Sequence, residues 1–386
     1  MPDAMLHVLH VGPKQPGGID SVLRELDARR DAFGRHGIAF SFFETRGFKR
    51  MRDRALFVAV DIPRFLSVLS GPVDVVHFHV AVRGSFYRKY VLFVLARMLG
   101  RKTVIHMHSG EFDHFFRQSP RIGQAIVRHF VRCAHAAIGV SRATGAELAA
   151  HGRRTGALYV IGNAAHAAEA AGGPAADDAP GWRPYIAFVG KLTVLKGVDD
   201  LLAALSLLKR RGCGVELRLA GSGDVDAWRE RAAAYGVADA VHFMGWLDGD
   251  EKLAFLRDAG LFCMPSHFES FGIATLEAML SGLPVVGTRL GGFLDLVREG
   301  ETGFLVEPRD PVALADRIGA LVADRACAKA MGAAGLVHAR TCYSTQVITG
   351  RYVDMYRDLR DPGAAARVKR SHADVERDES RMDSRS

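Results

Sequence analysis

The sequence contains no long uncharged hydrophobic run. Its longest stretch without a charged residue is 155–168, 14 residues that include a histidine, an asparagine and two glycines. A helix that crosses a membrane needs about 20 consecutive apolar residues, so we expect no transmembrane segment. The N-terminal stretch MPDAMLHVLHVG has an acid at Asp3 and no extended apolar core, which argues against a signal peptide.

Cysteine is scarce, and two nucleotide-binding fingerprints are missing. The five cysteines are scattered without a CxxC pair, so we expect neither a disulfide framework nor a cysteine zinc site, and a reducing cytoplasm fits best. The loop after the first predicted strand lacks the GxGxxG pattern, which argues against an NAD enzyme. The loop at 190–197 lacks the GxxxxGK[ST] pattern of a Walker A site.

Charge is distributed unevenly along the chain. The 51 basic and 43 acidic residues give a formal net charge of +8. Residues 1–165 hold 24 basic and 12 acidic residues, a net charge of +12, which leaves 27 and 31 in the rest, a net charge of −4. We interpret this asymmetry as a sign that the two parts bind different partners. Nucleic acid, an anionic membrane surface or a phosphorylated substrate would each suit the basic part.

Short apolar segments alternate with helical patterns in two series, which predicts an α/β protein with two doubly wound parallel sheets. The predicted strands are 6–12, 38–45, 73–80, 103–109, 136–141 and 158–163, then 185–191, 215–221, 241–246, 261–266, 284–288 and 303–306. The predicted units are an N-terminal domain over 1–165, a linker over 166–182, a C-terminal domain over 183–342, a helix over 343–360 that returns to the N-terminal domain, and a disordered tail over 361–386.

The loops that follow strands are the candidate sites, because ligands bind beyond the carboxyl ends of the strands in such sheets. After the first strand, Gly17 and Gly18 precede a helix whose N-terminus attracts anions. At the start of the second series, Lys191 and Lys196 flank a short loop before a helix and form a candidate phosphate clamp. The alternative interpretation of the glycine pair is an ordinary turn, and that of the two lysines is a pair of solvated surface side chains.

Two glutamates in the segment 265–306 form the strongest candidate site. Glu269 and Glu277 are eight residues apart, and a Ser-Phe-Gly turn ending at Gly272 opens a helix between them. Carboxylates at two depths can accept hydrogen bonds from hydroxyls at two ends of a sugar nucleotide. The apolar neighbours of Glu277 predict a buried helix in which a charge needs a partner, and a solvated helix residue is the alternative. The pair 291–292 provides a second glycine turn before a helix.

Four histidines are spaced two residues apart in neighbouring strands. His77 and His79 form one pair, and His106 and His108 form the other, so each pair can face one side of the sheet. Four imidazoles could ligate zinc. We favour structural histidines over a metal site, with His108 as the functional candidate because it begins the loop after its strand.

The motifs of the C-terminal half resemble the family-4, or group 1, glycosyltransferases, which have the GT-B fold. The match comprises the E-x7-E spacing of the two glutamates, the PS-x-x-E-x-FG segment at 265–272, the G-x-P-V-V-x-T-x-x-GG segment at 282–292 and the G-[RK]-L-x-x-x-KG loop at 190–197. In the N-terminal half, PGGI, HMHSGE and GVSRA look like elements of the same family. The resemblance extends over roughly residues 5–360.

This resemblance implies two facing Rossmann-like domains and a nucleotide-sugar donor held mostly by the C-terminal one. It implies that Lys191 and Lys196 bind the donor diphosphate, that Glu277 binds the ribose, and that Glu269 and His108 face the donor sugar as catalytic residues. The further donor-binding residues that it implies are Gly17, Gly18, Gly272, Gly292 and Phe293. The sequence departs from the family at Lys191, where arginine is frequent, and at 161–165, where IGNAA replaces the usual PNG.

We therefore predict a retaining glycosyltransferase, a hexosyltransferase that acts on a lipid-linked or growing glycan in surface polysaccharide synthesis. No metal cofactor is expected, because lysines and helix N-termini would stabilise the leaving diphosphate. A cytoplasmic location is expected, with peripheral contact between the basic domain and an anionic membrane, and no nucleic acid partner. The alternatives are a sugar-nucleotide epimerase or phosphorylase of the same fold, and a membrane- or nucleic-acid-binding protein that uses the basic segments 46–54 and 87–102.

Overall fold

The computed structural model describes residues 5–13, 17–47, 50–152, 157–165 and 185–361. Within these ranges the chain forms two parallel six-stranded sheets packed against helices, as the alternating pattern predicts. The predicted linker at 166–182 and the predicted tail beyond residue 361 lie outside the described residues. In the part of the chain that the structure describes, no helix has the length and apolar character needed to cross a membrane.

The N-terminal domain contains six strands and eight α-helices among its described residues. The strands are β1 (Leu6–Pro13), β2 (Ile38–Thr45), β3 (Val75–Val80), β4 (Lys102–Met107), β5 (Ala136–Gly139) and β6 (Ala157–Val160), in the order β2-β1-β3-β4-β5-β6. The helices are α1 (Gly18–Ala28), α2 (Arg30–Gly34), α3 (Met51–Leu56), α4 (Ile62–Leu69), α5 (Gly84–Met98), α6 (Phe112–Gln118), α7 (Arg121–Cys133) and α8 (Arg142–Gly152), and a π-helical turn (Phe57–Asp61) joins α3 to α4.

The C-terminal domain repeats this architecture. Its strands are β7 (Tyr185–Val189), β8 (Glu216–Ala220), β9 (Val241–Gly245), β10 (Leu261–Met264), β11 (Val285–Thr288) and β12 (Gly303–Val306), in the order β12-β11-β10-β7-β8-β9. Its helices are α9 (Val198–Arg210), α10 (Val225–Ala234), α11 (Gly249–Arg257), α12 (Ile273–Leu280), α13 (Phe293–Leu296), α14 (Pro311–Ala323) and α15 (Arg325–Tyr343), with 3₁₀ turns at Val194–Lys196 and Ala238–Ala240.

The burial of the strands follows their positions in the sheets. Central strand β3, with the sequence VVHFHV, is buried at every position, as a parallel strand covered on both faces requires. Edge strand β2 contains buried, intermediate and exposed residues instead. Side chains from one face of the N-terminal sheet pack with α5 and α7, and those from the other face join an apolar cluster that continues into the C-terminal domain. The two sheets therefore share part of one core.

The last described helix, α16 (Thr345–Arg360), follows the C-terminal domain but packs on the N-terminal one. It begins at Ser344, whose side chain accepts a hydrogen bond from the backbone N–H of Val347. At its other end, the Nζ atom of Lys102 on β4 donates to the carbonyl of Leu359 at 2.6 Å, which places a cation at the negative end of the helix dipole. The helix therefore covers the face of the N-terminal sheet that carries the paired histidines.

Candidate functional site

A cavity of about 350 Å³ lies between the two domains, at the carboxyl ends of the central strands. Both domains line it. The N-terminal domain contributes Gly18, Ile19, Ala81, His108, Ser109 and Asn163, and the C-terminal domain contributes Val189, Gly190, Lys196, Met264, Glu269, Ser270, Phe271, Gly272, Ile273 and Ala274. Five of the ten residues that the sequence singles out thus line one cavity, namely Gly18, His108, Lys196, Glu269 and Gly272.

The N-terminal wall of the cavity includes the start of α1. Gly17 is the N-cap residue, and Gly18 is the first helical residue and lines the cavity. Among the described residues, a Cβ atom added to Gly18 would meet no other atom within 4 Å, so the space beside this glycine is open. The unpaired N–H groups of the first turn and the helix dipole make this end of α1 attractive to an anion. Gly17 does not line the cavity itself.

Lys196 lies on the opposite wall and forms an ion pair with Glu269. Its Nζ atom is 2.7 Å from Glu269 Oε2, with side chains that are 30% and 11% exposed. Glycine at position 197 lets the loop of Lys196 pack closely against Pro265. The backbone of Gly197 has a φ of 73°, and an added Cβ would lie 1.9 Å from the carbonyl oxygen of Pro265. Lys191 is exposed at the start of the same loop and does not line the cavity.

The backbone of Glu269 is held by loops from both domains. Gly291 has a φ of 51°, and a Cβ there would lie 1.8 Å from the carbonyl oxygen of Glu269. On the other side, a Cβ at Gly110 of the N-terminal domain would lie 3.0 Å from the carbonyl carbon of Glu269. The glycines at both positions therefore permit the close packing that fixes this carboxylate at the cavity.

Gly272, Gly292 and Phe293 support the same loop in different ways. Gly272 precedes α12 and lines the cavity. The N–H of Gly292 donates to the carbonyl of Glu269 at 3.3 Å, and the N–H of Phe293 donates to the carbonyl of Leu290 at 3.2 Å. The Phe293 side chain is fully buried. Direct contact between these two N–H groups and a ligand would require those bonds to open, so it stays a prediction.

Glu277 lies one turn into α12, where its carboxylate has a cationic partner. The Nζ atom of Lys252 on α11 is 2.7 Å from Glu277 Oε1, and both side chains are largely buried. Burial raises the pKa of Glu277, and the adjacent Lys252 acts in the opposite direction. Glu277 therefore has the partner that its buried position requires, but it does not line the cavity of Gly18 and Lys196. The sequence analysis did not identify Lys252.

Five histidines, not four, lie together on the face covered by α16. The register pairs His10 with His77 and His79 with His106, so their side chains share one face of the sheet. His108 follows the end of β4 and lines the cavity. His10 was not among the residues predicted from the sequence, because β1 has no second histidine two residues away to mark the same face.

The rings of these histidines are neutral at pH 7. Burial lowers the pKa of His10 to about 3, and burial together with the nearby cation of Lys89 lowers the pKa of His108 to about 3. Burial also lowers the pKa values of His77, His79 and His106. Neutral imidazoles can act both as hydrogen-bond donors and as acceptors.

Two sets of three histidines have ring nitrogens within 4.8 Å of one another, which is a spacing that a metal ion could use. These nitrogens already face each other in pairs, however. His10 Nδ1 is 2.9 Å from His79 Nε2, and His79 Nδ1 is 3.0 Å from His108 Nε2. A metal ion would have to replace these hydrogen bonds, and the expectation that no metal is required remains a prediction.

Comparison with known proteins relates the C-terminal domain to one family. Residues 183–324 match the family model described as glycosyl transferases group 1. Over 170 residues the chain is 35% identical to glycogen synthase of Mycobacterium tuberculosis, covering 44% of this chain and 41% of that protein. Over 169 residues it is 38% identical to D-inositol 3-phosphate glycosyltransferase of Nocardia farcinica, covering 42% and 37%. The matched region thus spans less than half the length of these curated relatives.

The fold is also that of a solved structure. The Anabaena protein HepE in complex with UDP-glucose superposes with a TM-score of 0.72 at 19% identity, covering 92% of this chain and all of that one. At this identity the likeness establishes the architecture of both domains and their arrangement. Residues 183–324 therefore resemble the group 1 glycosyl transferases, in a chain whose two α/β domains have the GT-B fold.

Proposed function

We propose that the protein is a retaining glycosyltransferase that moves a sugar from a nucleotide-diphosphate sugar to an acceptor hydroxyl. The observation that carries the proposal is the cavity in which Lys196 and the N-terminus of α1 line opposite walls. A diphosphate between these walls would contact a cation on one side and a helix N-terminus on the other. A carboxylate and a neutral imidazole, Glu269 and His108, line the same cavity and provide polar contacts for a sugar.

The leaving diphosphate would be stabilised without a metal ion. Negative charge grows on the diphosphate as the bond between the anomeric carbon and the phosphate oxygen breaks. Lys196 is paired with Glu269 at 2.7 Å, so a bound diphosphate would share this cation. Lys191 is exposed on the same loop and would be a second cation for the outer phosphate.

The sugar would be transferred on one face of the ring. The acceptor oxygen forms the new bond to the anomeric carbon on the side from which the diphosphate leaves, and the departing phosphate oxygen takes the acceptor's proton. Glu269 and His108 would bind and orient the donor sugar. Glu277 would bind the ribose, because Lys252 contacts its Oε1 atom and leaves Oε2 to accept hydrogen bonds from hydroxyls.

The acceptor would bind to the N-terminal domain. A second cavity of about 210 Å³ lies after β3 and β4 and is lined by residues that include Arg83, Glu111 and His114. Arg83 has a φ of 60°, a strained conformation that is enriched at functional sites. With the net charge of +12 on residues 1–165, this favours a glycan acceptor that carries an anionic group, such as a lipid-diphosphate-linked sugar at an anionic membrane.

Thermal unfolding of the wild-type chain with a panel of nucleotides tests the proposal. UDP and UDP-glucose come first, because the structurally similar Anabaena protein is described in complex with UDP-glucose, and GDP, ADP and their sugars follow. At about 100 times its Kd, a true donor raises the melting temperature by several degrees. The proposal fails if no nucleotide diphosphate or nucleotide sugar shifts the transition. Donor turnover without any acceptor would point to an epimerase instead.

A further inference from the structure

The five histidines and one tyrosine form a continuous hydrogen-bonded chain that ends at the cavity. His108 Nε2 lies 3.0 Å from His79 Nδ1, and His79 Nε2 lies 2.9 Å from His10 Nδ1. His10 Nε2 lies 3.4 Å from the hydroxyl of Tyr356 on α16, and that hydroxyl lies 2.6 Å from His77 Nδ1. His79, His10 and His77 each use their two ring nitrogens for two different partners.

The chain has a buried end and an open end. At the buried end, His77 Nε2 lies 3.2 Å from His106 Nδ1, and His106 Nε2 has no hydrogen-bond partner among the described residues. At the open end, His108 is partly exposed and uses Nε2 within the chain, so its Nδ1 atom remains for water or a ligand. Each neutral ring has one N–H donor and one acceptor nitrogen. The protonated nitrogen of the histidine at either end therefore fixes the direction of every hydrogen bond in the chain.

The buried end selects the direction. If the bonds run towards His106, its Nε2 atom carries a hydrogen that no acceptor receives. If the bonds run away from His106, its Nε2 atom is unprotonated and is an acceptor without a donor. Orphaned buried N–H groups are the rarer of the two in proteins. His106 then donates from Nδ1 to His77, His77 donates to Tyr356, and the bonds continue through His10 and His79 to His108 Nε2, which leaves the hydrogen of His108 on Nδ1.

We propose that this chain holds His108 as the Nδ1–H tautomer, so that His79, His10 and Tyr356 are positioning residues that make His108 a hydrogen-bond donor to the sugar of the bound nucleotide. The last part of this inference rests on the proposed function, whereas the tautomer itself does not. The same logic assigns the Nδ1–H tautomer to all five histidines.

The surrounding charges are consistent with a neutral chain. Lys89 on α5 is a cation that lowers the pKa of His108. Its own pKa is lowered to about 7 by burial and by Arg88, and its Nζ atom donates to Ser85 Oγ at 2.8 Å. On the α16 side, Tyr352 is buried against the same sheet face, with its hydroxyl 3.5 Å from His106 Nδ1. A cation beside the open end and burial along the chain both disfavour an imidazolium.

Nitrogen NMR of protein labelled with ¹⁵N-histidine tests the tautomer without any substrate. The account predicts that Nδ1 carries the hydrogen in His108 and in the four buried histidines. Finding His108 as the Nε2–H form, or as an even mixture, overturns the proposal whether or not the protein is a glycosyltransferase. Stoichiometric zinc, nickel or copper in the purified protein, with histidine signals that change when a chelator removes it, also overturns it, because the metal would use the same nitrogen lone pairs.

Substitutions test the positioning role. His79→Leu removes the group that donates to His108 Nε2, so the Nδ1–H preference of His108 should be lost and UDP-glucose should bind roughly fivefold to tenfold more weakly, while UDP binds as before. Tyr159→Phe removes a hydroxyl that donates to Asp358 on α16 at 2.7 Å, outside the chain, and should change neither the tautomer nor either affinity. Equal weakening of UDP and UDP-glucose in His79→Leu would indicate a packing role only and would refute positioning. If His79→Leu does not fold, the NMR measurement of the His108 tautomer in the wild-type protein tests the proposal by itself.

Discussion

The ion pair between Lys196 and Glu269 leads to a prediction in which two substitutions break the same bond with opposite consequences. Lys196→Met removes the cation that would contact the donor diphosphate. Glu269→Gln breaks the same 2.7 Å pair but leaves that cation in place. A merely structural ion pair would make the two variants equivalent, so their difference in nucleotide affinity tests what the lysine does.

The size of the effect follows from the geometry of the cavity. A hydrogen bond from a cation to a phosphate oxygen contributes about 1.5–3 kcal/mol, so Lys196→Met should weaken UDP binding by about 10- to 100-fold. Glu269→Gln should bind UDP at least as tightly as the wild type, because Lys196 no longer has a competing carboxylate. The pair is partly exposed, so its loss should lower the free energy of unfolding by only about 1 kcal/mol in either variant.

Isothermal titration calorimetry with UDP measures both variants and the wild type under one set of conditions. Lys209→Met is the matched control, because Lys209 lies on α9 of the same domain and pairs with Asp239 on the exposed surface. It should bind UDP as the wild type does. Equal weakening in Lys196→Met and Glu269→Gln, or an unchanged affinity in folded Lys196→Met, would refute the assignment of Lys196 to the diphosphate.

Two further predictions concern stability. Burial raises the pKa of Glu147 to about 7, against a hydrogen bond from the backbone N–H of Asp113 that favours the charged form. The folded state therefore binds the proton more tightly than the unfolded state, and the free energy of unfolding should fall as the pH rises from about 4.5 to 7. A fully buried carboxyl would lose about 3 kcal/mol over this range, and the partial exposure of Glu147 reduces the expected loss to about 2 kcal/mol. Glu147→Gln should remove this slope in denaturant titrations at several pH values. Gly291→Ala should lower the melting temperature more than Gly300→Ala. Both glycines have positive φ, but only the Cβ at 291 would collide with Glu269, whereas the Cβ at 300 meets no atom within 4 Å. Equal losses in the two alanine variants would contradict this reason.

The fold could be predicted from the sequence because its signals are local. Each of the twelve predicted strands is present, and the strand at 38–45 has the predicted bounds. Continuous apolar segments report strands buried on both faces, and this information lies within a few residues of chain. The helical segment between β2 and β3 is less regular than an uninterrupted α-helix, since it starts at Met51 and contains a π-helical turn at Phe57–Asp61. Such a turn changes the hydrogen bonding without changing the apolar pattern.

The cavity could be predicted only in part, because its contacts join distant segments. Glu269 and Gly272 belong to one motif, but the ion pair to Lys196 spans 73 residues. Lys252 is one of several charged residues in α11, and nothing in its local sequence identifies it as the partner of Glu277. The sequence predicted that the buried carboxylate of Glu277 needs a partner. Which cation provides it depends on how α11 packs against α12.

The histidine chain shows the same limit. A period of two places His77 and His79 on one face, which is a local inference. The inclusion of His10 depends on which strand lies next to β3, and the bridging role of Tyr356 depends on the return of a helix across 279 residues from His77. The return of a helix over 343–360 was predicted, but its hydrogen-bond partners depend on sheet order and tertiary packing and could not be.

The central claim is that the cavity between the two domains binds the nucleotide sugar. A crystal structure of the chain with UDP-glucose tests it most directly. We expect density for the diphosphate between Gly18 and Lys196, with the sugar beside Glu269 and His108. Density for the nucleotide at another surface, or an empty cavity in crystals grown at saturating UDP-glucose and at saturating concentrations of every donor that stabilises the protein, would contradict it.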